Sequence, residues 1–366
     1  MSIRVVSLFS GGGGLDLGFL QEGYHIIWAI DNQKDAVSTY RHNLGKHIIC
    51  ADINALEADN IPDCDLMIGG PPCQSFSLSG NRNVEDARGM LVWKYMEILK
   101  AKQPGAFLFE NVTGLLSAKN AGGEKIIELL FEAFRSIGYT IVWKTINSAD
   151  YGVPQKRRRV IIVGLKGDRK FMFPMATHGT AACTGVKPYV TVKEALGDLP
   201  PIDENTPGNG TFILKTPPSN DFLCQVRSPD NRVTEHEFPT MSELDKYIVQ
   251  FVRPGGNYMD IPADVPSKRI QRLQRDGGHT TCYGRMAPDE PSYTINTYFN
   301  RPNVGCNIHY SQNRLITVRE ALRLQSFPDS YELVSSSKQG RHKIVGNAVP
   351  PMLARTFAKQ LRGYLL

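Results

Sequence analysis

The sequence predicts an α/β fold: a doubly wound, mostly parallel sheet, joined to a smaller and irregular second domain. Three observations carry this. Apolar, strand-like runs alternate with helical periods from Arg4 to about residue 165, the pattern of successive β-α-β units. Polar and glycine-rich features fall where those runs end, at the edge where ligands sit in such sheets. From about Phe171 the periods fade, and residues 177–316 turn rich in Pro, Gly, Asn and Thr, the composition of long loops, which commonly carry recognition. A length of 366 residues suits one large domain or two moderate ones.

The elements follow in order. Arg4-Val5-Val6-Ser7-Leu8-Phe9 reads as a first strand. It meets Ser10-Gly11-Gly12-Gly13-Gly14, and residues 15–20 continue as a helix. Strand, glycine loop and helix bring a ligand close to backbone N–H groups. The spacing fails the dinucleotide pattern, because Asp16 stands where a third glycine belongs, and no Gly-Lys-Ser/Thr follows for a phosphate loop. By itself the loop could equally be a tight turn. Residues 26–30 form a second strand ending in Asp31, placed to take the hydroxyls of a ribose. Ile48-Ile49 leads to Asp52-Ile53, where an acid could accept from an adenine amino group while Ile53 packs on the ring. With few cations nearby, an adenosine ligand without phosphates fits best, and S-adenosylmethionine is the obvious one.

Leu66-Met67-Ile68 is a short buried strand, stopped by Gly70-Pro71-Pro72 just before Cys73. A lone cysteine is more often a packing residue. A thiol on so rigid a turn is better explained by chemistry. Past a loop over residues 80–89, residues 90–100 are helical, and Ala106-Phe107-Leu108-Phe109 is a strand ending in Glu110-Asn111-Val112. Glu110 is either functional or a cap for a helical turn from Gly114 onward. Residues 124–137 are helical; 140–145 and 160–164 look like paired strands, with Gln155-Lys156-Arg157-Arg158-Arg159 on a loop between them. Further on, Thr317 opens an amphipathic helix to Gln325, and Gly346-Asn347-Ala348-Val349-Pro350-Pro351 leads into a last helix over residues 352–361.

Composition narrows the function. Net charge is +6, weak evidence alone for a nucleic-acid partner. The clusters at residues 156–159 and at Lys268, Arg269, Arg272 and Arg275 could each be a solvated face. Seven cysteines without a Cys-x-x-Cys pair, and eight histidines without His-Glu-x-x-His, argue against a disulfide framework and a metal site. No apolar run is long enough to span a bilayer, and the first residues lack a signal-peptide pattern. A cytoplasmic protein with no membrane partner is expected.

These motifs, in this order, resemble the DNA (cytosine-5) methyltransferase family over nearly the whole chain. The residues at 9–14 resemble its cofactor loop, Gly70-Pro71-Pro72-Cys73-Gln74-Ser75 its nucleophile motif, and Glu110-Asn111-Val112 its acid motif. Gln155-Lys156-Arg157-Arg158-Arg159 resembles its Gln-x-Arg-x-Arg motif. Arg319-Glu320-Ala321-Leu322-Arg323-Leu324-Gln325-Ser326-Phe327-Pro328 resembles the helix framing the recognition domain, and Gly346-Asn347-Ala348-Val349-Pro350 the final motif. One departure is Asp31, where the family usually has Glu.

The resemblance implies a Rossmann-like, S-adenosylmethionine-dependent methyltransferase domain over residues 1–176 and 340–366, with a target-recognition domain over 177–339. It implies methylation of cytosine C5 within a specific double-stranded DNA sequence, without a metal and with S-adenosylhomocysteine as product. Cys73 would add to C6 of a flipped-out base, making C5 nucleophilic. Glu110 would hold a proton at N3, Arg159 would donate to O2, and Arg157 would help hold the site. DNA would lie in the cleft between the domains. For the cofactor it implies Phe9, Gly11, Gly13, Asp31, Asp52, Ile53, Leu91 and Asn347. For DNA recognition it implies Thr294, with Arg285 and Arg301 as guanine readers. A monomer paired with a restriction endonuclease is expected, nucleoid-associated when bound to DNA.

Three competing readings carry less. A tRNA methylase of the related branch would have a Cys-Phe-Thr tripeptide, which is absent. A DNA-binding regulator on a dead scaffold would not need Cys73, Glu110 and Arg159 together. An oxidoreductase has no use for residues 70–73.

Overall fold

A computed structural model describes residues 2–72, 90–120, 122–180, 182–206, 210–335 and 337–366. Cys73 and the loop over residues 80–89 lie outside the described residues. The chain divides into two compact units. The first holds Met1–Asn147, Arg158–Met175 and Leu353–Leu366; the second holds Ser148–Arg157 and Ala176–Met352. By packing, residues 148–157 and 340–352 thus belong with the second unit, whereas the sequence division grouped them with residues 1–176.

The first unit opens with β1 (Arg4–Leu8), α1 (Gly14–Gln21), β2 (His25–Asp31), α2 (Lys34–Asn43), β3 (Ile48–Cys50) and β4 (Leu66–Gly69). It continues with α3 (Met90–Lys102), β5 (Ala106–Val112), α4 (Ile126–Ser136) and β6 (Tyr139–Asn147). After β7 (Gln155–Lys156), which lies in the second unit, β8 (Arg158–Lys166) completes a seven-stranded sheet ordered β3-β2-β1-β4-β5-β8-β6. The first five strands are parallel; β8 runs antiparallel to both neighbours. β4 is a continuous apolar run, and β1 is buried from Val5 to Leu8 with only Ser7 polar, because their places in the middle of the sheet bury both faces. On α4, Ile126, Ile127, Leu130 and Phe134 repeat at helical spacing and are buried. They join Tyr95, Phe107, Phe109 and Tyr139 in an aromatic core, where the Phe107 and Phe134 rings stack at 4.5 Å.

The second unit contains β9 (His178–Gly179), β10 (Lys187–Pro188), α5 (Val192–Leu196), β11 (Phe212–Ile213), α6 (Asp221–Val226), β12 (Arg232–Val233) and α7 (Glu243–Val249). Next come α8 (Lys268–Asp276), β13 (Ser292–Tyr293), α9 (Val318–Leu324) and α10 (Lys338–Asn347); α11 (Pro351–Leu365) closes the chain. Its strands are two residues long, so the unit is held by loops and side chains rather than by a sheet. Thr317 does cap α9, in a reciprocal box with Glu320. The helix is not amphipathic, however: Arg319, Glu320 and Arg323 are all buried. Acceptors and ion partners remote in sequence make that burial tolerable. Among the described residues, no helix is long and apolar enough to cross a membrane.

Candidate active site

The chain lays down β1, β2 and β3 to one side and then returns to place β4 on the other side of β1. That reversal of strand order opens a crevice beyond the carboxyl ends of β1 and β4, where ligands bind in such sheets. Leu8 of β1 is paired with Gly69 of β4, so the glycine loop and the Gly70-Pro71-Pro72 turn leave the sheet side by side. The sequence put both features on strand ends; the register makes them neighbours.

β5 lies on the other side of β4 and supports that turn. The Asn111 side-chain amide donates to the Pro71 carbonyl at 3.0 Å. The Glu110 carboxylate leans over Gly70, where a Cβ would stand 2.9 Å from Oε2, so residue 70 must be glycine for the acid to sit there. Glu110 does not cap the following turn, whose N-cap is Val112 with no side-chain bond. It pairs instead with Arg159, Nε to Oε1 at 3.0 Å, the two side chains only 14 % and 11 % exposed. Arg159 is in β8, not on a loop as expected. Antiparallel pairing sets it opposite Val112 and brings the start of β8 to the end of β5. Burial lowers the Arg159 guanidinium from its ordinary value, and Glu110 opposes that shift. A carboxylate and a planar five-donor cation thus meet at the rim from which the chain runs on to Cys73.

At the glycine loop, Phe9 takes a left-handed backbone with φ 57°, an uncommon conformation for a bulky residue and one that clusters at functional sites. Its side chain is half-buried against the rim of the core, as is Leu91 in the first turn of α3. Gly11 is also left-handed, and among the described residues, its chain neighbours aside, nothing lies within 4 Å of the position its Cβ would take. Gly13 is the left-handed N-cap of α1, and a Cβ there would strike Leu44 and Tyr40. Asp31 ties the loop to the next helix, accepting from Gly11 N at 2.9 Å and Gln33 N at 2.8 Å. Burial raises its carboxyl, against those backbone bonds. Asp52 is exposed and caps a short turn through Asn54 N at 2.9 Å. Ile53, expected on the adenine, is 4 % exposed and packs in the core.

A buried network under this loop escaped the sequence reading. Asp16 accepts from the Ser7 hydroxyl at 2.7 Å and the Tyr40 hydroxyl at 2.7 Å; Ser10 donates to Ser7 at 2.9 Å. Burial pushes the Asp16 carboxyl up to about 6, with Ser7 and Tyr40 opposing. The available signal was an acid within the otherwise apolar helix over residues 15–20.

In the second unit the remaining motifs converge. Gln155 donates to the Leu324 carbonyl at 3.0 Å and accepts from Ile295 N at 2.9 Å. Buried Arg157 donates to the carbonyls of Ile295 at 3.2 Å and Gly346 at 3.0 Å. Thr294 donates to the Lys156 carbonyl at 2.9 Å, and Gln325 to that of Val345 at 2.8 Å. Arg157 therefore acts as an internal clamp on the Thr294-Ile295 pair. Asn347 is exposed at the end of α10.

Arg285 does not fit the guanine-reading role. Its five N–H groups go to the carbonyls of Val252, His309, Gln312 and Val249 and to the Asn313 side chain, all within 2.8 Å. It is a strut for the loops around it. Arg301 is exposed and lies 5.1 Å over the Tyr298 ring. Among the described residues, no cluster of His, Cys, Asp and Glu could hold a metal ion.

The chain is 36% identical over 363 residues to the Type II methyltransferase M.NgoFVII of Neisseria gonorrhoeae, covering 98% of this chain and 86% of that one. It is 32% identical to the Type II methyltransferase M.DdeI of Desulfomicrobium norvegicum, covering 99% and 89%. A crystal structure described as a DNA modification methyltransferase from an E. coli prophage superposes with a TM-score of 0.75 at 27% identity, over 100% of this chain and 99% of that one. The S. pombe Dnmt2 methyltransferase, at 18% identity and a TM-score of 0.60 over 99% of each chain, shares the fold. The profile of the family described as C-5 cytosine-specific DNA methylase matches residues 3–363, leaving almost nothing outside it: the chain belongs to that family and is a DNA (cytosine-5) methyltransferase.

Proposed function

We propose that the protein methylates C5 of cytosine within one specific duplex sequence, through covalent attack by Cys73 on a flipped-out base. The observation that carries this is the buried Glu110–Arg159 pair at the rim of the sheet, braced against the turn that leads to Cys73. Cytosine C5 is a weak nucleophile. Addition of the Cys73 thiolate to C6 forms a C–S bond and moves the ring electrons toward C5 and N3. Glu110, protonated for this step, places its proton at N3 and accepts from the N4 amino group, limiting the charge. Arg159 donates to O2. Loss of the C5 proton after methylation breaks the C–S bond and returns Cys73. The base must leave the duplex first, at a cost of a few kcal/mol.

The cofactor of this family is S-adenosylmethionine, and the residues fit it. Gly11 leaves open space against its backbone, Asp31 offers a carboxylate, and Phe9 and Leu91 offer apolar faces. The loop over residues 10–14 carries no cation for phosphates. Bound there, S-adenosylmethionine supplies an electrophilic methyl group. Asp31 would take the ribose, Asp52 the adenine amino group, Gly11 and Gly13 the methionine end, and Asn347 a further contact.

The two similar Type II methyltransferases support a role in restriction–modification, protecting DNA from a cognate endonuclease. We place the enzyme in the cytoplasm, as a monomer. Residues 177–339 would choose the sequence, with Thr294 and Arg301 at the reading surface.

The test is a trap. Duplex DNA carrying 5-fluorocytosine at the target, incubated with enzyme and S-adenosylmethionine, should yield an adduct that survives denaturing electrophoresis, since fluorine cannot leave as a proton does. Cys73→Ala should form none. Peptide mapping of the adduct to another cysteine would reject the assignment. No adduct, from enzyme active on ordinary cytosine, would reject covalent attack.

A further inference from the structure

The basic cluster at Lys268, Arg269, Arg272 and Arg275 is unused by the catalytic reading. It forms most of α8. This helix is anchored by buried Ile270 and half-buried Leu273, which pack into the core of Ile248, Val252, Tyr258 and Tyr283. At about 100° per residue, Lys268, Arg272 and Arg275 fall within an arc of roughly 60° opposite those anchors. Arg269 lies to one side, near enough to Tyr283 to oppose the upward shift that burial gives its hydroxyl. The arginines of the outer face are open to solvent, Arg272 at 79% and Arg275 at 76%.

A solvated face is the ordinary explanation of such a run, and two features argue against it here. Solvated helix faces usually mix signs, but on this helix Asp276 alone is acidic and serves both Arg272, at 3.6 Å, and Arg275, at 2.6 Å. At its amino end the placement also opposes the helix dipole. Lys268 and Arg269 occupy the first turn, where cations are disfavoured, and Asp276 occupies the last, where an anion is. Arg275, in the last turn, suits the dipole, but helix stability does not call for the cations of the first turn. Beyond α8 the chain runs on through exposed Gly277, Gly278 and His279.

We infer that Lys268, Arg272 and Arg275 form a phosphate-contacting face that holds the backbone of the substrate duplex without reading its bases. This rests on the proposed action on duplex DNA. The matching chemistry is a row of phosphodiesters, which three cations on successive turns can neutralise together.

Salt dependence separates this from a solvated face. Binding of full-length enzyme to a fluorescein-labelled random-sequence duplex is measured by anisotropy across a range of NaCl. Each lost phosphate contact should flatten the log Kd against log salt plot by about 0.9. The variant Lys268→Gln/Arg272→Gln/Arg275→Gln should therefore have a slope shallower by roughly 2–3 and bind about tenfold or more weakly at ~0.1 M salt. Bisulfite sequencing should find its methylated sequence unchanged. Arg272→Lys/Arg275→Lys should keep the wild-type slope. A folded triple variant with the wild-type slope overturns the inference, as does a changed methylation site, which would mean base reading. If the triple variant melts early, Arg272→Glu at its exposed position decides by the same slope. Failure of the wild type itself to bind any duplex would overturn the underlying reading, and is seen before any variant is compared.

Discussion

Arg159 and Arg323 are both buried and both bonded to carboxylates, yet their surroundings differ. Arg323 binds Asp329 through Nε at 2.8 Å and Nη2 at 2.7 Å, and spends Nη1 on the Ala195 carbonyl and on Asp198. Arg314 is spent likewise on Glu320, Gln312 and the Leu315 carbonyl, and Arg319 on Thr234, Pro328 and Tyr331. In that region of the second unit, side chains replace the sheet that two-residue strands cannot supply. Arg159 and Glu110 meet each other at the open edge of a complete sheet that stands without them. Among the described residues Arg159 gives Nε to Glu110 and one Nη1 bond to the Arg158 carbonyl, fewer partners than Arg323 has, as suits a pair that we propose meets a substrate. If this contrast holds, substitutions in the two places must fail in different ways.

The largest effect is expected at Glu110. Glu110→Gln keeps the shape but cannot hold the N3 proton, so turnover on DNA should fall by roughly 10²–10⁴-fold while the melting curve moves little. Full single-turnover methyl transfer by the variant would remove Glu110 from the chemistry. Glu320→Gln should do the opposite. It leaves buried Arg314 without its counter-charge and should lower stability by roughly 3–5 kcal/mol in denaturant titration, with activity per folded molecule kept. Loss of turnover in the folded fraction would show that the cluster does more than support.

Acid should sharpen the same contrast. Burial holds the His309 imidazole down at about 4, despite Glu320 beside it. The unfolded chain takes up that proton once pH falls below 6.5, and the folded chain only near 4. Stability should therefore fall as pH drops through this window and level off below it. The Glu320 carboxyl is depressed, chiefly by Arg314 working against burial, so its contribution is present above its ordinary value of 4.5 and is lost further down. His309→Gln should flatten the melting temperature between 6.5 and 4; an unchanged slope would assign the effect to another group. Smallest is Asp52→Ala. As an exposed acid it should cost about tenfold in S-adenosylmethionine affinity, the low end for a hydrogen bond to a charged group. Calorimetry showing wild-type affinity would take Asp52 out of the site.

The sheet was legible because its strands are apolar runs and its functional residues punctuate them. Arg159 was misplaced on a loop because β8 begins with two arginines and turns apolar only at Val160; what makes it a strand is pairing with β5 and β6. α10 went unread because Gly340, Gly346 and six polar or charged residues hide any apolar period. The Arg285 error has the same origin. A charge can be read locally, but whether carbonyls from Val249, Val252, His309 and Gln312 converge on it is a long-range fact. Burial of the charged face of α9 was hidden for that reason too.

The excursion at Ser148–Arg157 has a consequence for modularity. β6 and β8 are adjacent in the first unit's sheet, and the stretch joining them packs in the second unit, where Gln155 and Arg157 fasten the Thr294-Ile295 pair. The second unit, which we propose carries recognition, is therefore not one continuous cassette. A hybrid made by exchanging only residues 177–316 would inherit one enzyme's fastener and another's strap. Grafts that carry residues 148–157 along with the donor segment should yield more folded, retargeted enzyme than those that leave them behind, and lineages that exchange specificities should move the two segments as a pair.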